Sequence, residues 1–203
     1  MNPPTPGHFH LIEKMFEKAI ENRLAKIHII LSSKTDCEKN PLEPEEKRYI
    51  LETYAIPWIK QHLAFRQPHN KSMIENISVD ILLSHEYSTI YSPNNVLETV
   101  RQLLLQKTKE DKILFVTGDG FPVGDRVDIW KLDRSDYPIS GTLVREIARQ
   151  SFPAFASIYQ PFGICQKELY IIRRAILDLC PTNNEAVSKE ARQYIRSRYD
   201  LRK

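Results

Sequence analysis

This sequence predicts a parallel α/β fold from three observations. Short apolar runs rich in β-branched residues recur along the chain, and stretches with helical apolar spacing separate them. Five of the six glycines fall in three short segments, where a side chain would obstruct something. Strand and helix in alternation give a parallel sheet with right-handed crossovers and helices on its faces.

The elements follow in order. Phe9, Ile12, Phe16 and Ile20 recur at helical spacing and make residues 9 to 21 an amphipathic helix. KIHIILSS (26 to 33) is a β-branched run suited to a buried parallel strand. A helix starts near Pro44, with Glu45 and Glu46 favourable in its first turn. Pro57 is expected to kink or end it before a second helical stretch reaching about Phe65. The polar RQPHNKS is expected to be a loop, and ISVDILLS (77 to 84) the next strand. Residues 94 to 106 form another amphipathic helix, and KILFVTG (112 to 118) a buried strand running into the glycine-rich GDGFPVG. VDIWKLDR (127 to 134) is a weaker strand that leads through YPISGT to the helix LVREIARQ. Beyond about residue 151 the chain reads as helices packed on the sheet. Residues 1–150 are therefore the α/β core, and 151–203 a helical C-terminal part of the same domain.

Composition excludes several classes. The chain has 203 residues, 41% of them hydrophobic and 27% charged, a globular rather than disordered mix. A net charge of +3 argues against a dedicated nucleic-acid coat, and the basic C-terminal run reads as a solvated helix face. MNPPTPGHFH has neither the basic nor the apolar region of a secretory leader, and no apolar run approaches the ~18 residues of a membrane span. Three cysteines (Cys37, Cys165, Cys180) without CxxC spacing point to reduced thiols, and hence to a cytoplasmic protein. Globular chains average about 7% glycine, so a chain of this length would carry roughly 14; this one has 6.

Two segments carry chemistry. Thr5-Pro6-Gly7-His8 lies just before the first helix, where free N–H groups and the positive dipole end favour anions. Gly7 lets a phosphate approach the backbone, His8 offers a donor to a phosphoryl oxygen, and Thr5 adds a hydroxyl. Taken alone, the segment is also an ordinary proline-rich turn with a helix cap. In Ile139-Ser140-Gly141-Thr142-Leu143-Val144-Arg145, Thr142 is the expected N-cap, and the Arg145 guanidinium turns back towards the helix start. Backbone N–H groups, two hydroxyls and a bidentate cation would then converge on one anion, as a polyphosphate needs. By itself this segment also reads as a common Ser/Thr cap.

Together the two segments resemble the nucleotidyltransferase superfamily whose signatures are H/T-x-G-H after the first strand and I-S-S/G-T-x-x-R before a late helix. NPPTPGHFHLI is similar to the first and ISGTLVR to the second. Lys39-Asn40-Pro41-Leu42, followed by Glu46-Lys47-Arg48, resembles the N-P-L…E-x-K/R segment of several members. Thr117-Gly118-Asp119 resembles the family's G-S-D strand end, and the order of all four agrees over roughly residues 2 to 150. The resemblance implies a Rossmann-like parallel sheet and transfer of a nucleotidyl group from a nucleoside triphosphate to a phosphorylated small molecule, with release of pyrophosphate. ATP is the expected donor, with a nicotinamide-mononucleotide-type acceptor among the options; a cytidylyltransferase is the alternative.

The same resemblance assigns the residues. His8 contacts the α-phosphate, Thr5 binds acceptor or triphosphate oxygens, and Lys39 is the mobile cation. Ser140, Thr142 and Arg145 hold the β- and γ-phosphates, with Gly7, Gly118, Asp119 and Gly141 lining the nucleotide. Mg2+ is expected on the phosphates rather than on protein ligands. Gly141 replaces a serine of the commoner motif, losing a hydroxyl and keeping an N–H. The family also places a β-strand and a G-x-F turn ahead of N-P-P-T-x-G-H, whereas this chain starts at Met1. The resemblance therefore implies a sheet short of its central strand, in which the strands at 26–32 and 112–117 pair directly or leave backbone unpaired. On that resemblance either the true start lies upstream of Met1, or the chain is a truncated, inactive nucleotide-binding or interaction protein.

Other candidates read as structure. Gly118-x-Gly120-x-x-x-Gly124 departs from a dinucleotide fingerprint and reads instead as a loop near the nucleotide base, and no P-loop pattern exists. His10, His28, His62, His69 and His85 lack metal-ligand spacing, and Trp130 reads as a core residue before a base-stacking one.

Overall fold

The computed structural model describes residues 3–34, 40–87, 96–107, 114–117, 128–131, 139–179, 189–193 and 195. Helix α1 (Pro6–Glu21) buries Phe9, Ile12, Phe16, Ala19 and Ile20 along one stripe. It begins at Pro6, three residues ahead of the expected start, because the helical periodicity counts only apolar positions while the cap lies upstream of them. Its C-terminus closes as a Schellman motif. The Leu24 N–H donates to the Ala19 carbonyl (2.8 Å) and the Arg23 N–H to the Ile20 carbonyl (3.1 Å). This puts Arg23 in the left-handed region at φ 54°, where glycine is the usual residue.

β1 (Lys26–Leu31) pairs in parallel with β2 (Ser78–Leu83) in the register Ile27↔Val79, Ile29↔Ile81, Leu31↔Leu83. Ile27, Ile29, Leu31, Ile81 and Leu83 are buried on that shared face. On the other face, Lys26 Nζ lies 2.7 Å from Asp80 Oδ2. His28 is opposite Asp80, 3.5 Å from that oxygen without a hydrogen bond to it, and burial holds its imidazole below the ordinary histidine range.

Between the strands run α2 (Pro44–Ile50), a π-helical turn over Leu51–Ala55, α3 (Ile56–Arg66), a 3₁₀ turn over Pro68–Asn70, and α4 (Lys71–Asn76). The regular helix breaks ahead of Pro57 as expected: α2 ends at Ile50, the π-helical turn accommodates the missing proline N–H, and Pro57 lies in the first turn of α3, which reaches Arg66. One sequence expectation is corrected here. RQPHNKS is helical over most of its length rather than a loop, because Pro68 starts a 3₁₀ turn that runs into α4 and buries Ile74.

Two lysines fasten this half of the molecule. Lys47, 2% exposed, donates to the Ser32 carbonyl at 2.9 Å and the Lys34 carbonyl at 3.5 Å, where the chain leaves β1. Lys60 donates to the Glu75 and Ile77 carbonyls at 3.1 and 2.7 Å, where it enters β2. Burial lowers both ammonium groups from the ordinary lysine value. At the opposite end of β2, the Ser33 N–H donates to Ser84 Oγ and the His85 N–H to Ser33 Oγ, each at 2.9 Å.

α5 (Val96–Leu105) precedes β3 (Leu114–Thr117), which pairs in parallel with β4 (Asp128–Lys131). Among the described residues β1 pairs only with β2 and β3 only with β4, so of the two arrangements expected for the strands at 26–32 and 112–117, direct pairing is not the one observed. Helix α1 packs on β1, and its Lys18 places Nζ 5.1 Å from the Trp130 ring centroid of β4. The C-terminal helices α6 (Gly141–Gln150), α7 (Phe152–Tyr159) and α8 (Gln166–Leu179) pack on one another, and Arg173 of α8 donates to the Ala148 carbonyl at 2.6 Å. The chain is thus a mixed α/β protein, mostly helical, with small parallel strand pairs flanked by helices.

Candidate functional site

Thr5 is the N-cap of α1, in extended conformation (φ −116°, ψ 164°), and Pro6 supplies the first helical residue. His8 is the third residue of the helix, the position at which a side chain reaches back to the cap. Here the imidazole takes the part usually played by Glu or Gln. The Thr5 N–H donates to His8 Nδ1 at 3.0 Å, and Thr5 Oγ1 lies 2.7 Å from the same nitrogen. Thr5 is 2% exposed and directs its hydroxyl onto His8, while His8 and Gly7 are half-buried.

The turn is anchored from below. Phe9 packs edge-on against Tyr159 and Phe162, with ring centroids 6.4 and 4.6 Å away. The Tyr159 hydroxyl, in a fully buried side chain, donates to the Pro4 carbonyl at 2.7 Å, and burial pushes the phenol well above its ordinary value. Sequence reading passed over Tyr159 because FPAFASIY looks like plain core. The available signal was chemical: a phenol inside an apolar helix needs an acceptor.

At the second segment the N-cap is Ser140, not Thr142 as expected. Ser140 is extended (φ −74°, ψ 156°), its Oγ accepts from the Leu143 N–H at 3.1 Å, and its carbonyl takes the first intrahelical bond from Val144. Leu143, Val144, Ile147 and Ala148 must face the core, and that rotation puts Thr142 inside the first turn, on the exposed side. Arg145 does turn back: its Nη2 lies 3.2 Å from Thr142 Oγ1, and the side chain is 8% exposed. The Gly141 and Thr142 N–H groups precede the first intrahelical bond, at the end of the helix where its dipole is positive.

The structure brings Thr5 together with His8, and Thr142 with Arg145 behind the Ser140 cap. Phe9, Val144, Ile147, Phe155 and Tyr159 belong to one core cluster, so α1 and α6 are fixed to a common body. Lys39, Gly118 and Asp119 lie outside the described residues.

Charge close to the first segment is arranged around Glu13, one turn beyond His10. Its carboxylate lies 3.0 Å from Arg66 Nη1, 3.4 Å from His10 Nδ1 and 3.7 Å from His62 Nε2, and Trp58 stacks on the His62 ring at 4.9 Å. His10 thus lies in a side-chain cluster around Glu13 on the helix flank. Among the described residues, no group of three or more His, Cys, Asp or Glu side chains could hold a metal ion, and no helix is long and apolar enough to cross a membrane. Comparison with protein-family models, curated proteins and solved structures finds no match to this chain.

Proposed function

We propose that this chain is a nucleotidyltransferase that moves a nucleoside monophosphate, AMP by preference, from a triphosphate to a phosphorylated small molecule. The observation that carries the reading is that both signature-like segments fall on true helix N-termini. In each, a basic side chain reaches back to the helix start: His8 onto its N-cap Thr5, and Arg145 onto Thr142 in the first turn behind the Ser140 cap. Two helix starts that each pair N–H donors with a basic side chain suit a polyphosphate better than any neutral ligand. The strand pairing also supports it. In the doubly wound order 3-2-1-4-5 the pairs 3-2 and 4-5 flank the first strand, and β2–β1 and β3–β4 are two such pairs.

In this reading an acceptor phosphate oxygen attacks the α-phosphorus in line. The new P–O bond forms as the bond from the α-phosphorus to the bridging oxygen breaks, and pyrophosphate leaves with that electron pair. His8 donates to the α-phosphate, where charge accumulates in the transition state. The α6 N–H groups, Ser140, Thr142 and Arg145 hold the leaving phosphates, with Lys39 as a further cation. These residues are donors and cations with no carboxylate among them. They therefore suit a magnesium–triphosphate complex whose metal ligands are phosphate oxygens and water.

The test is pyrophosphate release from ATP and CTP against a panel of phosphorylated acceptors that includes nicotinamide mononucleotide. Release that needs both substrates supports the reading, and faster release from CTP selects the cytidylyltransferase alternative. Triphosphate binding without release would favour the second reading, a nucleotide-binding protein that performs no transfer; the single partner of β1 and of β3 among the described residues is the observation that favours it. Absence of both binding and release would refute both.

A further inference from the structure

Tyr159 follows Pro4 by 155 positions, yet it is one peptide plane away from His8. Its ring is fixed by edge-on contacts with Phe9 and Phe155, at centroid distances of 6.4 and 5.2 Å, and its hydroxyl donates to the Pro4 carbonyl at 2.7 Å. That carbonyl and the Thr5 N–H belong to the same planar peptide unit, which holds them on opposite sides. The N–H donates in turn to His8 Nδ1 at 3.0 Å, with the Thr5 hydroxyl 2.7 Å from the same nitrogen. A carbonyl that accepts a hydrogen bond makes its own N–H a better donor, so the bonds of this chain strengthen one another. A ring nitrogen that accepts carries no proton, and a neutral imidazole then bears its proton on the other nitrogen.

We propose that Tyr159 is a positioning residue for His8: acting through the Pro4–Thr5 peptide, it holds the imidazole as the Nε2–H tautomer. The use of the Nε2–H donor on an α-phosphate rests on the nucleotidyl-transfer reading; the tautomer itself does not. The geometry also gives Thr5 a role different from direct substrate binding, since both its N–H and its hydroxyl are directed at His8.

The experiment is Tyr159→Phe in the full chain, which keeps the ring in its packing and removes only the hydroxyl. His8 is read by long-range nitrogen–proton correlation NMR on histidine-labelled protein, alongside kcat and KM for pyrophosphate release from ATP. The wild type is expected to show His8 as a single Nε2–H tautomer. In Tyr159→Phe the Nδ1–H form should appear and kcat fall roughly tenfold, the equivalent of one lost hydrogen bond, with KM for ATP within about twofold. Thr5→Val, which removes the hydroxyl at nearly constant shape but leaves the peptide relay in place, is expected to keep the Nε2–H tautomer; its loss there would show that the hydroxyl rather than Tyr159 sets the tautomer, and would overturn the proposal whether or not Tyr159→Phe folds. An Nδ1–H tautomer in the wild type overturns the proposal. So does a Tyr159→Phe variant that melts earlier while its tautomer ratio stays at the wild-type value, because a mere structural tether would behave that way. If the wild type releases no pyrophosphate, the transfer reading fails, and the NMR result alone then judges the relay.

Discussion

Replacing His8 by Ala, Glu and Gln separates its two roles, because each replacement keeps a different part of the imidazole. One nitrogen accepts the Thr5 N–H inside the α1 cap, and the other is the donor that transfer would use. Ala removes both. Thr5 is almost fully buried, so its N–H loses its side-chain partner with little access to water. A capping loss of about 1 kcal/mol is typical, and an unsatisfied buried donor costs roughly 1–3 kcal/mol. At this chain length 1 kcal/mol is about 2–4 °C in melting temperature, so His8→Ala should melt several degrees lower. Glu is the ordinary capping-box residue at this position; it keeps the acceptor, and with it the wild-type melting temperature, but has no donor. Losing a donor aimed at transition-state charge costs about 10²–10³ in turnover, so His8→Glu should be as inactive as His8→Ala while remaining stable. Gln keeps an acceptor and an amide donor, and should be stable with intermediate turnover. The assays are thermal unfolding and pyrophosphate release on the same preparations. Turnover in His8→Glu near the wild-type rate would remove His8 from the chemistry, and an unchanged melting temperature in His8→Ala would show that the cap bond contributes nothing.

Three further outcomes concern the framework. Arg23→Gly should raise stability by about 0.5–1 kcal/mol, since it relieves a left-handed backbone at the C-terminus of α1 while the unfolded chain gains some freedom; denaturant unfolding with an unchanged m-value would read this directly. Lys47→Met keeps much of the side-chain volume but leaves the Ser32 and Lys34 carbonyls without their ammonium donor, and a loss of about 1–3 kcal/mol is expected in the same assay. Burial works against ionisation of Glu86, but the Leu83 N–H and the Arg48 guanidinium outweigh it and hold the carboxyl below its ordinary value. A depressed carboxyl stabilises the fold above its unfolded-state value and ceases to do so as pH falls through the folded one. The stability gap between wild type and Glu86→Gln should therefore be full at neutral pH and close below about pH 4.5, the ordinary carboxyl value; a gap independent of pH would rule out this ionic contribution.

Strand and helix periodicity was legible wherever one face is uniformly apolar. β1 and β2 alternate clearly, and their positions come within a residue or two of those expected. The misses arose where a residue's role depends on the rotation of an element about its own axis. Ser140 rather than Thr142 caps α6 because Leu143, Val144 and Ile147 must turn inward together, a constraint from packing that a cap motif does not contain. RQPHNKS was polar enough to read as a loop, yet Ile74 draws the following turn into the core. At the site, Thr5, His8, Ser140 and Arg145 could be singled out by residue type and spacing. The hold of Tyr159 on Pro4 could not, since contacts across more than a hundred residues leave no periodic trace.

The two lysine clamps on the first strand pair set the alignment of those strands from outside the ladder. A slip of one residue would turn Ile27, Ile29 and Leu31 to the opposite face and move a strand end by about 3.3 Å. With Lys47 gripping the exit of β1 and Lys60 the entrance of β2, the same slip would also pull carbonyls away from two cations mounted on separate helices. Misaligned pairing is thereby penalised at both ends of the crossover, and the correct alignment is read by α2 and α3 as they dock. The helices that link the strands act as a gauge block for them, so a pair of only six residues each keeps one register although neither strand has a second neighbour among the described residues.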